Sequence, residues 1–272
     1  MSLLIETHRS FVNTWECDEN VHLNVQFYLK RFDEAARFFA LAHGRDHAGP
    51  LPAVRHVRYH SELAGAQSAV IRSGVVGDGP LVGWTVHRME ENSTGRLCAT
   101  AVDAPAGFGS AALASEDEAA PALPRSVDPT PRPGRSEADM LDGGGLVVHR
   151  CIVAPSECDA KGRLMQQFHI ARFTDGAPHL WDHAGISTRW LIDNGLGRVA
   201  VEMQIRHHNP AMAGDALKLV SRAETGGGKT IRLHHELIRA TDGLPIASGE
   251  VIGLVMDLTT RKSVRLDLEA FG

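Results

Sequence analysis

Residues Glu16-Cys17-Asp18-Glu19-Asn20-Val21-His22-Leu23-Asn24 gather three carboxylates, two amides and an imidazole into one short stretch. Asp18, Asn20, His22 and Asn24 fall at alternate positions. Carboxylates and imidazoles move protons, and a carboxylate can attack a carbonyl carbon. Amides and imidazoles donate hydrogen bonds to growing negative charge. The same residue types also build turns and helix caps, because Asp and Asn bond nearby backbone N–H groups. Residue type alone leaves both readings open.

The chain repeats itself around this stretch. Laying Asp18 over Asp159 (159 − 18 = 141) brings His8-Arg9 onto His149-Arg150, Glu16-Cys17 onto Glu157-Cys158, Gln26-Phe27 onto Gln167-Phe168, Arg31-Phe32 onto Arg172-Phe173 and Gly44 onto Gly185. Further on the offset becomes 206 − 58 = 148, pairing Arg58 with Arg206, His60 with His208, His87 with His235 and Gly95 with Gly243. The change is one insertion, placed around Asp193-Asn194-Gly195. Ordered matches across both halves imply a duplicated unit of about 100–130 residues. The copies are unequal. Lys161, Arg163 and Met165 replace Asn20, His22 and Asn24, and Gly162 stands where Val21 does.

The elements that must position these residues follow from periodicity. His8–Thr14 reads as a strand. Phe27, Tyr28, Phe32, Ala35, Ala36, Phe39 and Ala42 recur at three- and four-residue spacing and predict a helix over 25–43, ended near Gly44. Strand-like runs follow at 53–62, 67–76, 81–90 and 96–102, with glycine-bearing turns between them. The second half repeats the order: a strand at 147–154, a helix at 167–183, and strands at 199–208, 216–223, 230–240 and 245–256. Gly226-Gly227-Gly228-Lys229-Thr230 lacks the spacing of a phosphate loop and reads as a hairpin turn. The expected organisation is a first unit over 1–110, a Pro/Ala/Gly-rich linker over 111–145 and a second unit over 146–272.

Composition bounds the functions. The 272 residues carry a net charge of −5, which speaks against nucleic acid or an anionic membrane as partner. No apolar run is long enough to span a bilayer, and the N-terminus lacks the pattern of a secretory signal. Cys17, Cys98, Cys151 and Cys158 form no CxxC pair, and they fit reduced, mostly buried thiols in a cytoplasmic protein. Cys17 and Cys158 read as packing rather than nucleophiles. No metal and no cofactor is expected.

A long apolar helix wrapped by an antiparallel meander, with a polar loop at its N-terminus, resembles the hotdog fold. Asp18-x-Asn20-x-His22-x-Asn24, with Tyr28 four residues on, resembles the D-x-N-x-H-x-N motif of acyl-ACP thioesterases and of related 4-hydroxybenzoyl-CoA-type acyl-CoA thioesterases. The motif covers about a dozen residues, and the repeat extends the resemblance over nearly the whole chain. The resemblance implies an α+β tandem (double) hotdog, each unit a central helix wrapped by an antiparallel sheet, with the two sheets joined into one pseudo-dimer. Further homo-oligomerisation is common for the fold. It implies hydrolysis of an acyl-CoA, or of an acyl-ACP, to free acid and thiol. It gives Asp18 the role of base or nucleophile. On the chemistry of the residues, Asn24 at the start of the helix can hydrogen-bond the thioester carbonyl, His22 can orient water or stabilise developing charge, and Asn20 can position Asp18 or His22. A glutamate from the following strand joins the set in the plant enzymes. Glu62 is the nearest match, with His60 beside it. Asp159 is a second-site candidate, with Arg163 at hand for a CoA phosphate. Two alternatives stand: a non-catalytic acyl-CoA-binding protein, and a hotdog enoyl-CoA hydratase. The hydratase motif places its histidine five residues after the aspartate rather than four.

Overall fold

In the computed structural model, residues 4–108, 113–225 and 228–266 are described. The chain divides into two compact units, Met1–Thr130 and Pro131–Gly272.

The first unit opens with strand β1 (Ile5–Phe11), one turn of 3-10 helix (Thr14–Glu16) and helix α1 (Val25–Ala42). Strands β2 (Val54–Tyr59), β3 (Ser68–Val76), β4 (Thr85–Glu91) and β5 (Leu97–Asp103) follow. They hydrogen-bond in the order β1-β3-β4-β5-β2, every pair antiparallel. The first strand starts and stops earlier than its apolar pattern implies. Asn13 accounts for the early end: its backbone and side-chain N–H groups both donate to Glu16 Oε2 (3.0 and 3.2 Å), which turns the chain out of the strand. On α1, Leu29, Phe32, Ala35 and Phe39 are fully buried, while Phe38 and Leu41 are half exposed. The helix is therefore buried along one stripe rather than all round. Each buried phenylalanine contributes about 1.5–3 kcal/mol through the apolar area it removes from water.

The second unit repeats this plan. It has β7 (Leu146–Ile152), a 3-10 turn (Pro155–Glu157), α4 (Gln166–His183), β8 (Leu196–His207), β9 (Ala216–Thr225), β10 (Thr230–Arg239) and β11 (Pro245–Asp257), paired in the order β8-β11-β10-β9-β7. Helix α5 (Thr188–Asp193), capped by Ser187, lies in the α4–β8 connection and accounts for the change of offset between the repeats. The glycine turn between β9 and β10 was expected at Gly226–Thr230; Gly226 and Gly227 lie outside the described residues. Side-chain contacts repeat too. Ser73 Oγ and His87 Nδ1 lie 2.7 Å apart, as do Ser221 Oγ and His235 Nδ1. Phe173 stacks on His235 at 4.9 Å, whereas Phe32 lies tilted 6.3 Å from His87. Gly249 permits that closer stack, since a Cβ there would meet the Phe173 ring at 2.4 Å.

The stretch expected as linker is packed in part. Strand β6 (Leu113–Ala114) pairs with β3 in parallel, and α2 (Glu116–Ala119) is capped by Ser115. Ala119, Ala122 and Val127 are buried. Helix α3 (Glu137–Asp142) buries Met140 against Val220 and Ile238 of the second unit. Alanine and proline bury too little side chain to give a periodic signal, so composition alone concealed this packing.

Candidate active site in the first repeat

Between the 3-10 turn and α1, residues 17–23 form a small closed loop. Asp18 N–H donates to the His22 carbonyl (2.8 Å), and Val21 N–H donates to the Asp18 carbonyl (3.0 Å). Asp18 Oδ1 accepts from the backbone N–H of Asn20 (2.9 Å) and of His22 (3.1 Å). That is an Asx-type turn, and it shows why Asp recurs in both repeats. Val21 sits at φ 62°, a left-handed conformation seldom adopted by a β-branched residue. Its counterpart in the second repeat is Gly162 at φ 76°.

Two anchors hold the loop. Leu23 N–H donates to the Leu63 carbonyl (2.7 Å), and Leu63 N–H in turn donates to Tyr28 Oη on α1 (3.0 Å). Arg31, buried on α1, donates to Glu16 Oε2 (2.8 Å), Ser10 Oγ (2.9 Å) and the Phe11 carbonyl (3.0 Å). Glu157 and Arg172 repeat this pair at 2.6 Å. The Glu16–Arg31 pair had a signal in sequence, because both residues recur at the 141-residue offset. Its role as a loop anchor became visible only from the fold.

The sequence candidates separate as follows. His22 Nε2 lies 3.4 Å from Glu62 Oε2, both side chains half exposed, so the loop and the segment after β2 meet there. Asn24 is the N-cap of α1: its side chain accepts from Gln26 N–H at 3.1 Å. Asn20 contributes its backbone N–H to the Asp18 turn. His60 turns to Thr100 Oγ1 on β5, 3.1 Å away. Tyr28 is buried in the core. Cys17 and Cys158 are half buried, each with its thiol 3.5 Å from a carbonyl four residues back. Among the described residues no group of three or more His, Cys, Asp or Glu is placed to hold a metal ion. No helix among them is long and apolar enough to cross a membrane.

The electrostatics of the two aspartates differ in sign. Burial disfavours the charged form of Asp18 and outweighs the hydrogen bonds from His22 and Asn20, so its carboxyl titrates above the ordinary value. Asp159 makes the same backbone turn, accepting from Lys161 N–H (2.8 Å) and Arg163 N–H (3.0 Å). Its burial is outweighed by the Arg163 side chain, which donates to Oδ2 through Nε (2.9 Å) and Nη2 (2.7 Å), and the carboxyl is held below the ordinary value. Arg163 thus closes on Asp159 rather than standing open. The other equivalents are Met165 for Asn24 and Pro210 for Glu62.

A family model described as the thioesterase-like superfamily matches residues 12–127 and again 153–270. No curated protein matches the chain in sequence. Among solved structures, an acyl-ACP thioesterase from Bacteroides thetaiotaomicron aligns at 12% identity with a TM-score of 0.61, covering 92% of this chain and 98% of that one. The 12:0-ACP thioesterase from Umbellularia californica aligns at 10% identity with a TM-score of 0.60, covering 92% and 94%. At such identities the likeness shows the fold: two hotdog repeats in tandem.

Proposed function

We propose that this chain, which belongs to the thioesterase-like superfamily, hydrolyses an acyl thioester carried by CoA or ACP at the Asp18 loop of its first repeat. The observation that carries the assignment is the contrast between the two aspartates. Asp18 Oδ1 holds the loop through two backbone bonds, and Oδ2 accepts nothing from the described residues. A half-buried carboxylate with a raised pKa and one uncommitted oxygen is suited to take a proton from water or to attack the thioester carbonyl. Asp159 has both oxygens engaged.

In the proposed reaction, Asp18 removes a proton from water as the oxygen adds to the thioester carbon. The C–S bond then breaks, and the leaving thiolate takes up the proton held by Asp18, which restores the carboxylate. Asn24 spends Oδ1 on Gln26 and keeps its Nδ2 donors for the carbonyl oxygen, with the N-terminal end of α1 adding a favourable dipole. His22, paired with Glu62, orients the water or the departing sulfur. The repeated fold and its likeness to thioesterases support the reaction class; the loop geometry supports the choice of residues.

The test is thiol release from an acyl-CoA chain-length series, and from acyl-ACP, by the native chain, Asp18→Asn and Asp159→Asn. Loss confined to Asp18→Asn supports a single site in the first repeat. Tight acyl-CoA binding with no release from any substrate overturns the hydrolase assignment in favour of a binding protein.

A further inference from the structure

A cavity of about 570 Å³ opens in the first unit, beside the C-terminal half of α1. Its walls include Phe39, Leu51, Pro50, Pro52, Pro105 and Phe108. Phe39 and Phe108 pack edge to face at 5.1 Å, and the Arg45 guanidinium lies over the Phe108 ring at 4.9 Å. Its volume falls in the range of small-molecule sites, and its lining is mostly apolar with a few polar groups.

The buried polar groups of the lining are Thr85 and Asp103, cross-strand partners at the ends of β4 and β5, and Asp33 on α1. Thr85 is 3% exposed, and its hydroxyl has no hydrogen-bond partner among the described residues. A buried hydroxyl left unpaired is unfavourable, and a ligand atom in the cavity would satisfy it. Asp103 is also buried. Its Oδ1 accepts from Arg55 Nε (2.6 Å), and its Oδ2 from Arg55 Nη2 (2.6 Å), with His87 Nε2 at 3.2 Å. A carboxylate oxygen accepts about two hydrogen bonds, so Oδ1 has capacity for another.

Charge selects the class of ligand. Arg55 neutralises Asp103, and Arg37 donates to Asp33 at 2.9 Å. Arg45 donates to the carbonyls of Ala106 and Gly107, and the Arg37 guanidinium also reaches the His47 carbonyl. The buried acidic groups of the lining are therefore balanced, which gives a cationic ligand no uncompensated anion there to pair with. A ligand carboxylate would face Asp33 and Asp103. A neutral hydroxyl fits both sides of the floor: it can donate to Asp103 and exchange a hydrogen bond with Thr85.

We propose that this cavity binds an apolar molecule by its hydroxyl end, with Thr85 and Asp103 holding the hydroxyl. The inference stands on the cavity and its floor and does not rest on the hydrolysis assignment. The hydroxyl could belong to a free alcohol or to the far end of an acyl group, and the experiment separates the two.

Isothermal titration of the full chain compares 1-octanol with its isomer methyl heptyl ether, which has the same atoms and no donor. Native protein is expected to prefer the alcohol about tenfold, the scale of one hydrogen bond to a charged group. Thr85→Val weakens binding of the alcohol and Thr85→Ser restores it, with unfolding temperatures confirming that both variants fold. Equal binding of alcohol and ether, no saturable binding, or unchanged alcohol binding in Thr85→Val overturns the proposal. Displacement of octanol by 8-hydroxyoctanoyl-CoA but not by octanoyl-CoA, in the Asp18→Asn background, supports the site as one for a hydroxylated acyl end. Displacement by neither supports a free alcohol, and equal displacement by both overturns the hydroxyl assignment.

Discussion

Arg163 donates two side-chain hydrogen bonds to Oδ2 of Asp159, at 2.9 and 2.7 Å, and so engages the oxygen that its counterpart Asp18 leaves open. One loop geometry thus carries two outcomes. The backbone turn needs only Oδ1, and what stands four residues later decides the fate of Oδ2.

This separates stability from turnover in the two amide variants. Asp18→Asn keeps an oxygen for the Asn20 and His22 backbone donors, so its unfolding temperature should stay close to native. Thiol release should fall roughly 10²–10⁴-fold, the usual contribution of a positioned acid or base. Asp159→Asn should do the reverse: turnover near native, and stability lower by about 0.2–1 kcal/mol, since the lost pair with Arg163 is partly solvated. Thiol-release kinetics and thermal unfolding on the same two proteins check both halves.

Breaking the loop's anchor should cost far more. Arg31 and Glu16 are both almost fully buried at 2.8 Å. Arg31→Met strands the Glu16 carboxylate and releases the Ser10 and Phe11 contacts, so about 3–5 kcal/mol of stability should be lost. Arg172→Met tests the equivalent pair in the second repeat, where the 2.6 Å contact to Glu157 is somewhat less buried. A smaller loss is expected there, read from urea midpoints.

The duplication makes much of this legible in the sequence alone. The spacing of Phe27, Phe32 and Phe39 located α1 to within a residue, and alternating runs located the strands, because helix and strand periods are written in side-chain order. Short elements escaped. Helix α5 begins at a Ser187 cap inside a stretch with no clear apolar period, and Ala119 and Ala122 are too small to register as core. In the site, the motif pointed to Asp18, His22 and Asn24. It could not show that Asn24 Oδ1 is spent on a cap or that Arg163 folds back on Asp159. The Thr85 hydroxyl and Asp103 gave no local signal at all, since only strand pairing brings them side by side.

The strain at Val21 is open to a direct test. Its side chain is 62% exposed, so no packing compensates for the left-handed φ of 62°. The second repeat meets the same need with Gly162. Val21→Gly should raise stability by up to about 1 kcal/mol, the relief of a left-handed β-branched residue less the entropy of a new glycine. A shift of the unfolding temperature upward, with turnover retained, is the expected reading.

Stability should also carry a pH signature from the second repeat. Burial raises the carboxyl of Glu236 to about 7 from an ordinary value of 4.5, against the pull of Ser248, which donates to it at 2.6 Å. A raised value means the folded chain holds the proton more tightly than the unfolded one. The contribution is therefore complete below about pH 4.5 and is lost as the pH climbs through about 7, to a total of about 3 kcal/mol. The buried histidines titrate in the opposite sense, so the difference between native and Glu236→Gln isolates the carboxyl. Urea midpoints at pH 5 and pH 8 should differ between the two proteins by that slope, and a parallel pair of curves would sink the assignment.

Asn24 serves two ends at once, and substitution can pull them apart. As N-cap it accepts from Gln26 N–H at 3.1 Å, a contribution of about 1 kcal/mol to α1. Its Nδ2 is the donor proposed for the thioester carbonyl. Asn24→Ala should lose both, with lower stability and slower turnover. Asn24→Ser keeps a capping oxygen and shortens the donor's reach, so stability should return while turnover stays depressed. The deficit should lie in kcat more than in KM, because a carbonyl donor acts as charge builds on the oxygen. If Asn24→Ser turns over at the native rate, Asn24 is a cap alone, and the oxyanion must be held by the backbone at the start of α1.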